Sequence, residues 1–190
     1  AIEGPQGTTL ETDITSNRPD LLSYLGVARE LAALFRTPLV APPSPLLEDR
    51  EPTSAAARVA IETPSLCARY SARVVRGLLV GPSPEPLRRV LEASGLRSIN
   101  NVVDVTNLVL LELGQPTHAF DLATLGESRV VVRTARAGER LRTLDGAERA
   151  LDLDDLVIAD GTRPVALAGV LGGAETEISP ATRDVLVESA

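Results

Sequence analysis

The residues of this chain that are best suited to chemistry lie in one apolar segment, Ile99 to Asp121. The segment carries paired amides, a carboxylate, a threonine and the only histidine of the chain, His118. Polar groups that are set into an apolar run must find hydrogen-bond partners or a ligand. Thr106 and Asn107 interrupt a run of valines and leucines that is typical of a helix, and they come too late in it to cap its start. We therefore expect both side chains to be half-buried and hydrogen-bonded.

Three other polar residues of the segment have a structural interpretation. Asn100 and Asn101 stand at the start of a helix that we predict over residues 102–113, and asparagine is a favoured cap. Asp104 follows closely enough to complete an N-terminal capping box. We prefer capping for these three residues. A functional role of Asp104 stays open, because it shares one side of the helix with Asn107.

His118 follows the predicted end of this helix at Gly114 and Pro116. One interpretation is structural, with the imidazole bonded to a carbonyl group at the helix end. Neither a cysteine nor a second histidine accompanies His118 at ligand spacing, so we predict no metal site. A Ser-His-Asp triad stays open, although the sequence has no Gly-x-Ser-x-Gly elbow.

A stretch rich in small residues, Leu167 to Gly173, follows a predicted strand. Its simplest interpretation is a tight turn with close packing. A phosphate loop is a poor match, because no Gly-Lys-Ser/Thr and no amphipathic helix follow. Small residues also let a substrate approach the backbone, where exposed N–H groups can bind a developing oxyanion.

Glu188 stands two residues after Leu186 in a predicted strand, so both side chains share one face of the sheet. This spacing predicts a carboxylate that points inward beside an apolar neighbour. The alternative is a solvated charge near the end of the chain.

The order of predicted elements indicates the α+β class, because helices come early and mostly antiparallel strands come late. We expect a layered β/β/α module with a mostly antiparallel sheet and a few packed helices. The predicted helices span residues 21–36, 84–94 and 102–113, and Ser16 or Asp20 is the expected cap of the first. The predicted strands span residues 8–15, 58–62, 68–79, 129–133, 156–159, 164–168 and 184–188, with a hairpin over 141–151.

A proline-rich stretch separates the first helix from the later elements. Its prolines make residues 37–57 a surface crossover within one domain rather than a helix, with a linker between domains as the alternative. A length of 190 residues fits a single module of residues 1–190.

Composition excludes several classes of protein. No apolar run approaches the roughly 20 residues that span a bilayer, and no signal peptide is recognisable. The single cysteine, Cys67, cannot form an intramolecular disulfide, and we expect a cytoplasmic protein without membrane contact. A net charge of -7 argues against independent, nonspecific binding to nucleic acid, because phosphate contacts supply most of that affinity.

The chain resembles the β subunit of bacterial phenylalanyl-tRNA synthetase. The similar segments occur in the family's order and spacing, which makes the resemblance specific although each piece alone is weak. They are Thr12–Asp20, Gly26–Ala33, Cys67–Tyr70, Asn100–Asp121, Leu144–Arg149, Leu156–Asp160, Ala166–Gly173 and Leu186–Ala190.

The resemblance implies that this chain is the central editing module, a fragment of a longer subunit. The implied activity is hydrolysis of tyrosine that is wrongly esterified to tRNA(Phe). The implied partners are the tyrosine-bearing 3′ end of tRNA(Phe) and the α subunit of an α2β2 complex. That complex attaches phenylalanine with ATP and Mg, whereas the fragment itself needs no cofactor.

The resemblance also implies roles for particular residues. Glu188 would accept a hydrogen bond from the hydroxyl of bound tyrosine, and Ala168 and Gly169 would form a wall of small residues. The residues near the ester and the terminal adenosine would be Thr106, Asn107 and His118. Leu108 departs from the family, which usually has tyrosine there, so any contact by that tyrosine's hydroxyl is in doubt.

Two other functions compete with editing. One is a non-catalytic module that positions RNA or subunits of the same synthetase, since the acidic charge and the missing neighbouring domains are compatible with a fragment that is inert alone. The other is a free-standing hydrolase of small esters, which would release tyrosine from simple esters without tRNA.

Overall fold

The computed structural model describes residues 2–4, 7–41 and 43–190. The chain divides into two compact units. Unit 1 contains the described residues up to Glu48 together with Gly81–Thr117, and unit 2 contains Asp49–Val80 and His118–Ala190.

The described residues form four α-helices and twelve strands. The helices are α1 (Tyr24–Phe35), α2 (Thr53–Ala56), α3 (Glu85–Ala93) and α4 (Asn101–Leu113). The strands are β1 (Ile2–Gly4), β2 (Gly7–Thr9), β3 (Arg58–Ile61), β4 (Ser71–Val75), β5 (His118–Asp121), β6 (Arg129–Thr134), β7 (Arg140–Arg142), β8 (Glu148–Ala150), β9 (Leu156–Ala159), β10 (Pro164–Leu167), β11 (Leu171–Gly172) and β12 (Val185–Ser189). None of the helices in this described part is long and apolar enough to cross a membrane.

Unit 1 is mainly helical, and α4 packs against both α1 and α3. The Ser23 hydroxyl accepts a hydrogen bond from the backbone N–H of Gly26 and starts α1. The expected cap at Ser16 or Asp20 is therefore wrong, because Pro19–Leu21 forms a separate 3-10 turn first. Strands β1 and β2 form a short antiparallel hairpin in place of the strand predicted over residues 8–15.

Unit 2 contains two larger sheets. One has five strands in the order β11-β10-β9-β6-β3, in which only the β3–β6 pair is parallel among the described strands. The other has three antiparallel strands in the order β4-β12-β5. A separate hairpin joins β7 and β8. The mixture of helices and mostly antiparallel strands confirms the predicted α+β class.

The two larger sheets of unit 2 share one apolar core. Val130, Val132 and Ile158 enter it from the five-stranded sheet, and Phe120 and Leu186 enter it from the three-stranded sheet. Four of these five side chains are fully buried. The two sheets therefore form two β layers with a common interior.

The proline-rich stretch has little regular structure. Residues 37–41 and 43–52 are exposed and contain neither helix nor strand, and α2 follows directly. Ala57 then enters the core of unit 2.

Candidate functional site

Glu188 and His118 are neighbours on the three-stranded sheet. Strand β12 lies between β4 and β5, and Glu188 pairs with His118 in the β5–β12 register. Leu186 pairs with Phe120 two positions away, and both are fully buried. Residues that are directly opposite, or two apart on a strand, project from one face. Glu188 and His118 therefore lie on the face that turns toward the core.

One oxygen of the Glu188 carboxyl group, Oε2, lacks a well-formed hydrogen bond although the Tyr70 hydroxyl is near. This atom is buried and has no hydrogen-bond partner among the residues that the structure describes. Burial raises the pKa of this carboxyl, and the neighbouring Tyr70 hydroxyl opposes that rise. A buried polar group without a partner costs free energy, so this position favours a ligand that can donate a hydrogen bond.

Tyr70 brings a second unpartnered group to the same place. It lies two residues before Ala72, which pairs with Glu188 across β4 and β12. Its side chain packs against the core of unit 2, while its Oη atom is buried and unbonded within the described part of the chain. Burial raises the pKa of the phenol, and the nearby Glu188 carboxylate raises it further. Tyr70 is therefore a neutral hydroxyl that can donate.

His118 is held as a neutral imidazole. Burial lowers its pKa from the usual 6.5, which favours the neutral form of the ring at pH 7. Its ring meets that of Phe120 edge to face, with centroids 4.6 Å apart and an interplanar angle of 74°. This geometry is favourable for aromatic pairs and stabilises the observed orientation of the imidazole. A neutral ring offers one N–H donor and one nitrogen acceptor.

Because Gly172 has no side chain, the imidazole of His118 has room beside it. A Cβ atom at this position would lie 2.8 Å from Cε1 and 3.0 Å from Nε2 of His118. It would also lie 3.1 Å from Cδ1 of Leu144. Strand β11 can therefore pass this close to His118 only with a residue that lacks a side chain.

Ala168 and Gly169 follow β10 in the same unit. Ala168 packs against the core cluster that also receives Tyr70 and Leu186. Gly169 forms the turn between β10 and β11 with φ of 70°, a left-handed conformation that favours glycine. A Cβ atom at Gly169 would meet nothing within 4 Å. Turn geometry is thus a sufficient reason for glycine at this position.

Thr106 and Asn107 lie on α4 and therefore belong to unit 1. Both are half-buried, and the Thr106 hydroxyl donates to the carbonyl oxygen of Val103 at 2.7 Å. This local bond is the common way to satisfy a threonine inside a helix. The roles of Thr106 and Asn107 near the ester stay predictions, which their alanine variants would test.

Asp104 has the structural role that we preferred. It is fully buried and accepts hydrogen bonds from the hydroxyls of Ser83 and Ser98, each at 2.5 Å, and from the N–H of Ile99 at 2.8 Å. Burial by itself would raise the pKa of this carboxyl. The hydrogen bonds, with that from Ser83 the largest, outweigh burial and lower the pKa. Asn100 caps α4 by accepting from the N–H groups of Val102 and Val103.

Sequence reasoning missed Tyr70, Gly172 and strand β5. Tyr70 stands in a predicted strand at even spacing from Ala72, so its face could have been derived once the strand limits were known. Gly172 belonged to the glycine-rich stretch, but nothing in the sequence indicates which histidine atom it faces. No cluster of three or more His, Cys, Asp or Glu residues suited to a metal occurs in the described ranges.

Residues 66–190 match the family model of the B3/4 domain. The match covers more than half of the chain and includes every candidate site residue named above. The chain belongs to the B3/4 domain family.

Two relatives with curated names match nearly the whole of this chain. A relative from Anaeromyxobacter dehalogenans (strain 2CP-C), named phenylalanine–tRNA ligase beta subunit, is 56% identical over 95% of this chain and 23% of its own length. A relative of the same name from Moorella thermoacetica (strain ATCC 39073 / JCM 9320) is 52% identical over 100% of this chain and 24% of its own. The resemblance to this subunit is thereby confirmed. The chain spans about a quarter of the length of these curated relatives.

A solved structure shares the fold of the B3/4 domain. It is an N-terminal fragment of the phenylalanyl-tRNA synthetase beta subunit from Pyrococcus horikoshii, with a TM-score of 0.52 and 15% identity. The likeness covers 91% of this chain and 52% of that one.

Proposed function

We propose that this B3/4 domain is the editing module of a phenylalanyl-tRNA synthetase β subunit, and that it hydrolyses tyrosine wrongly attached to tRNA(Phe). The observation that carries the proposal is the buried, unpartnered Oε2 of Glu188 on an apolar face. A tyrosine side chain is an aromatic ring with one hydroxyl at its far end. Such a side chain fits an apolar site that holds one acceptor without a donor.

The selectivity of such a site follows from desolvation. An apolar pocket built for phenylalanine rejects one added hydroxyl by only about 100-fold, so synthesis alone charges some tyrosine. A second site that binds the hydroxyl selects in the opposite sense. When phenylalanine enters it, Glu188 stays unpaired, at a cost of about 1–3 kcal/mol and more if the carboxyl is charged.

The reaction is the hydrolysis of an ester. Water adds to the carbonyl carbon of the tyrosyl ester, and the bond to the ribose oxygen breaks to give tyrosine and free tRNA. We assign to His118 the orientation of this water or of the terminal nucleotide, because its neutral imidazole has both a donor and an acceptor. Ala168 is the proposed small wall of the pocket, together with Gly169.

The rest of the synthetase supplies what this chain lacks. A net charge of -7 is unfavourable for holding the phosphates of tRNA, so other domains are expected to bind the RNA backbone. Attachment of phenylalanine with ATP belongs to the α subunit in this proposal. This chain then acts on the aminoacylated 3′ end that the complex delivers.

Deacylation kinetics test the proposal. The assembled synthetase is mixed with Tyr-tRNA(Phe) and with Phe-tRNA(Phe), and release of each amino acid is followed for the wild type and for Glu188→Ala. We expect the variant to lose most of its preference for tyrosine, because both substrates then meet an apolar wall. Glu177→Ala, an exposed glutamate of the same unit, is the matched control.

A non-catalytic module that positions RNA or subunits of the same synthetase is the second candidate, because an acidic fragment without its neighbouring domains can be inert by itself. This candidate predicts a different result for the same experiment. Glu188→Ala would then leave the release of tyrosine unchanged, while binding of tRNA or assembly of the subunits would weaken.

A further inference from the structure

The hydroxyl group of Tyr70 lies beside the carboxyl group of Glu188 without making a hydrogen bond of good geometry to it. The ring packs into the core of unit 2, and a phenylalanine ring would pack in the same way. The Oη atom is buried and has no hydrogen-bond partner among the described residues. Since burying an unbonded hydroxyl costs free energy, a purely structural residue here would more favourably be phenylalanine.

The sheet fixes Tyr70 beside Glu188. In the β4–β12 register, Ser71 pairs with Ser189 and Ala72 pairs with Glu188. The Ser71 hydroxyl donates to the carbonyl oxygen of Ser189 at 2.8 Å and ties these strand ends together. Tyr70 directly precedes Ser71 and lies two residues before Ala72, so it shares the face of Ala72. Because Ala72 is opposite Glu188, Tyr70 is a diagonal neighbour of Glu188. Such neighbours are within reach of each other when the side chains are long or aromatic.

The two unpartnered atoms are complementary in type. The neutral phenol of Tyr70 can donate a hydrogen bond, whereas Oε2 of Glu188 can accept one. A hydroxyl group both donates and accepts. A single substrate hydroxyl between the two side chains would satisfy both atoms.

We propose that Tyr70 is a second specificity-determining residue, which donates a hydrogen bond to the phenol oxygen of a bound tyrosyl group while that phenol donates to Glu188. This inference rests on the proposed editing function and adds a residue to its recognition site. Phenylalanine, which has no hydroxyl, could make neither bond.

The substitution Tyr70→Phe removes only the hydroxyl and tests the proposal. Release of tyrosine and of phenylalanine from tRNA(Phe) is measured with the assembled synthetase. We expect the KM for Tyr-tRNA(Phe) to rise about three- to tenfold, the size of one hydrogen bond, with kcat nearly unchanged. The KM for Phe-tRNA(Phe) should fall or stay the same, so selectivity drops.

Tyr24→Phe is the matched control. Tyr24 is the other tyrosine of the chain, lies in unit 1, and has its hydroxyl bonded to that of Ser94 at 2.8 Å. We expect this variant to keep the kinetics of the wild type for both substrates. A Tyr70→Phe variant with unchanged selectivity and an unchanged unfolding temperature would overturn the assignment of Tyr70.

A substrate analogue gives a test that needs no variant of the protein. The amino group of 4-aminophenylalanine donates a hydrogen bond but accepts poorly, so it would satisfy Glu188 and leave Tyr70 unpaired. Wild-type synthetase should therefore release it from chemically acylated tRNA(Phe) with a KM between those for tyrosine and phenylalanine. Equal KM values for 4-aminophenylalanine and tyrosine would remove Tyr70 from recognition.

The two proposals fail separately. If Glu188→Ala abolishes the preference for tyrosine and Tyr70→Phe does not change it, editing stands and only the role of Tyr70 is lost. If neither variant changes the preference, the editing function itself is contradicted.

Discussion

At the scale of the residue, the proposed selectivity depends on Glu188. Its carboxyl lies on the face of Leu186 and Phe120, and its Oε2 atom lacks a partner in the described part of the chain. Burying this group costs folding free energy, and in the proposed function the same burial would make the carboxyl selective for a ligand that donates.

The stability of Glu188→Gln should therefore depend on pH. Burial raises the pKa of Glu188 above its usual 4.5, so the folded chain holds this proton more tightly than the unfolded chain does. Below pH 4.5 the difference in stability between the wild type and the variant should not change with pH. As the pH rises from there through the folded-state pKa, the wild type should lose stability relative to the variant, and the gap should then level off.

Thermal unfolding of both proteins across this pH range measures the gap. Glu177→Gln, at an exposed glutamate, serves as the control and should follow the wild type. A wild type that gains stability relative to Glu188→Gln as the pH rises would show that the carboxylate is paired in the folded protein.

Gly172 is the second residue whose effect can be tested directly. A methyl group in Gly172→Ala would displace the imidazole of His118, because its Cβ would come within 2.8 Å of Cε1. We expect release of tyrosine to slow by roughly tenfold or more, since small misplacements of site groups have large kinetic effects. Gly81→Ala, where a Cβ meets nothing within 4 Å, should keep its activity. Equal rates for both variants would contradict the role of His118.

The sequence predicts some of these residues and not others, for a physical reason. The inward direction of Glu188 follows from its spacing to Leu186, because the period of a strand is local. The missing partners of Tyr70 and Glu188 depend on which side chains tertiary packing brings near them. The contact of Gly172 with His118 joins residues of different strands, which no local pattern encodes.

At the scale of the element, the site depends on a sheet assembled from distant parts of the chain. Strand β4 lies within a predicted strand and β12 overlaps one except at Ser189, but their pairing is not a local property. Strand β5 was missed because it has four residues and begins at His118 directly after the turn that follows α4. Helix α4 was predicted correctly, because Asn100 and Gly114 mark both its ends.

The cap of α4 is testable at this scale. Asn100→Ala would leave the N–H groups of Val102 and Val103 without their acceptor. We expect a loss of about 0.5–2 kcal/mol in the free energy of unfolding, measured by denaturant titration. Asn100→Asp should retain most of the stability, because aspartate caps helices equally well. If both variants lose the same amount, the side chain contributes something other than a cap.

At the scale of the whole molecule, the two units contain different kinds of structure. Unit 2 has a two-sheet core with fully buried Val130, Val132 and Leu186, whereas residues 43–50, at the boundary of the two units, are exposed and irregular. Amide protons in β6 and β9, at the middle of the five-stranded sheet, should exchange most slowly with solvent. Those of residues 43–50 should exchange fastest. Mass spectrometry of hydrogen exchange measures this order, and a reversed order would contradict the described core.

Recognition of a tyrosyl hydroxyl by Glu188 is the central claim, and one structure tests it most directly. The assembled synthetase would be crystallised with a non-hydrolysable analogue of 3′-tyrosyl adenosine. We expect the phenol oxygen to lie about 2.5–3.0 Å from a carboxylate oxygen of Glu188, which is the range of an O–H···O hydrogen bond. A phenol oxygen beyond hydrogen-bond reach of Glu188, with the analogue bound, would contradict the account.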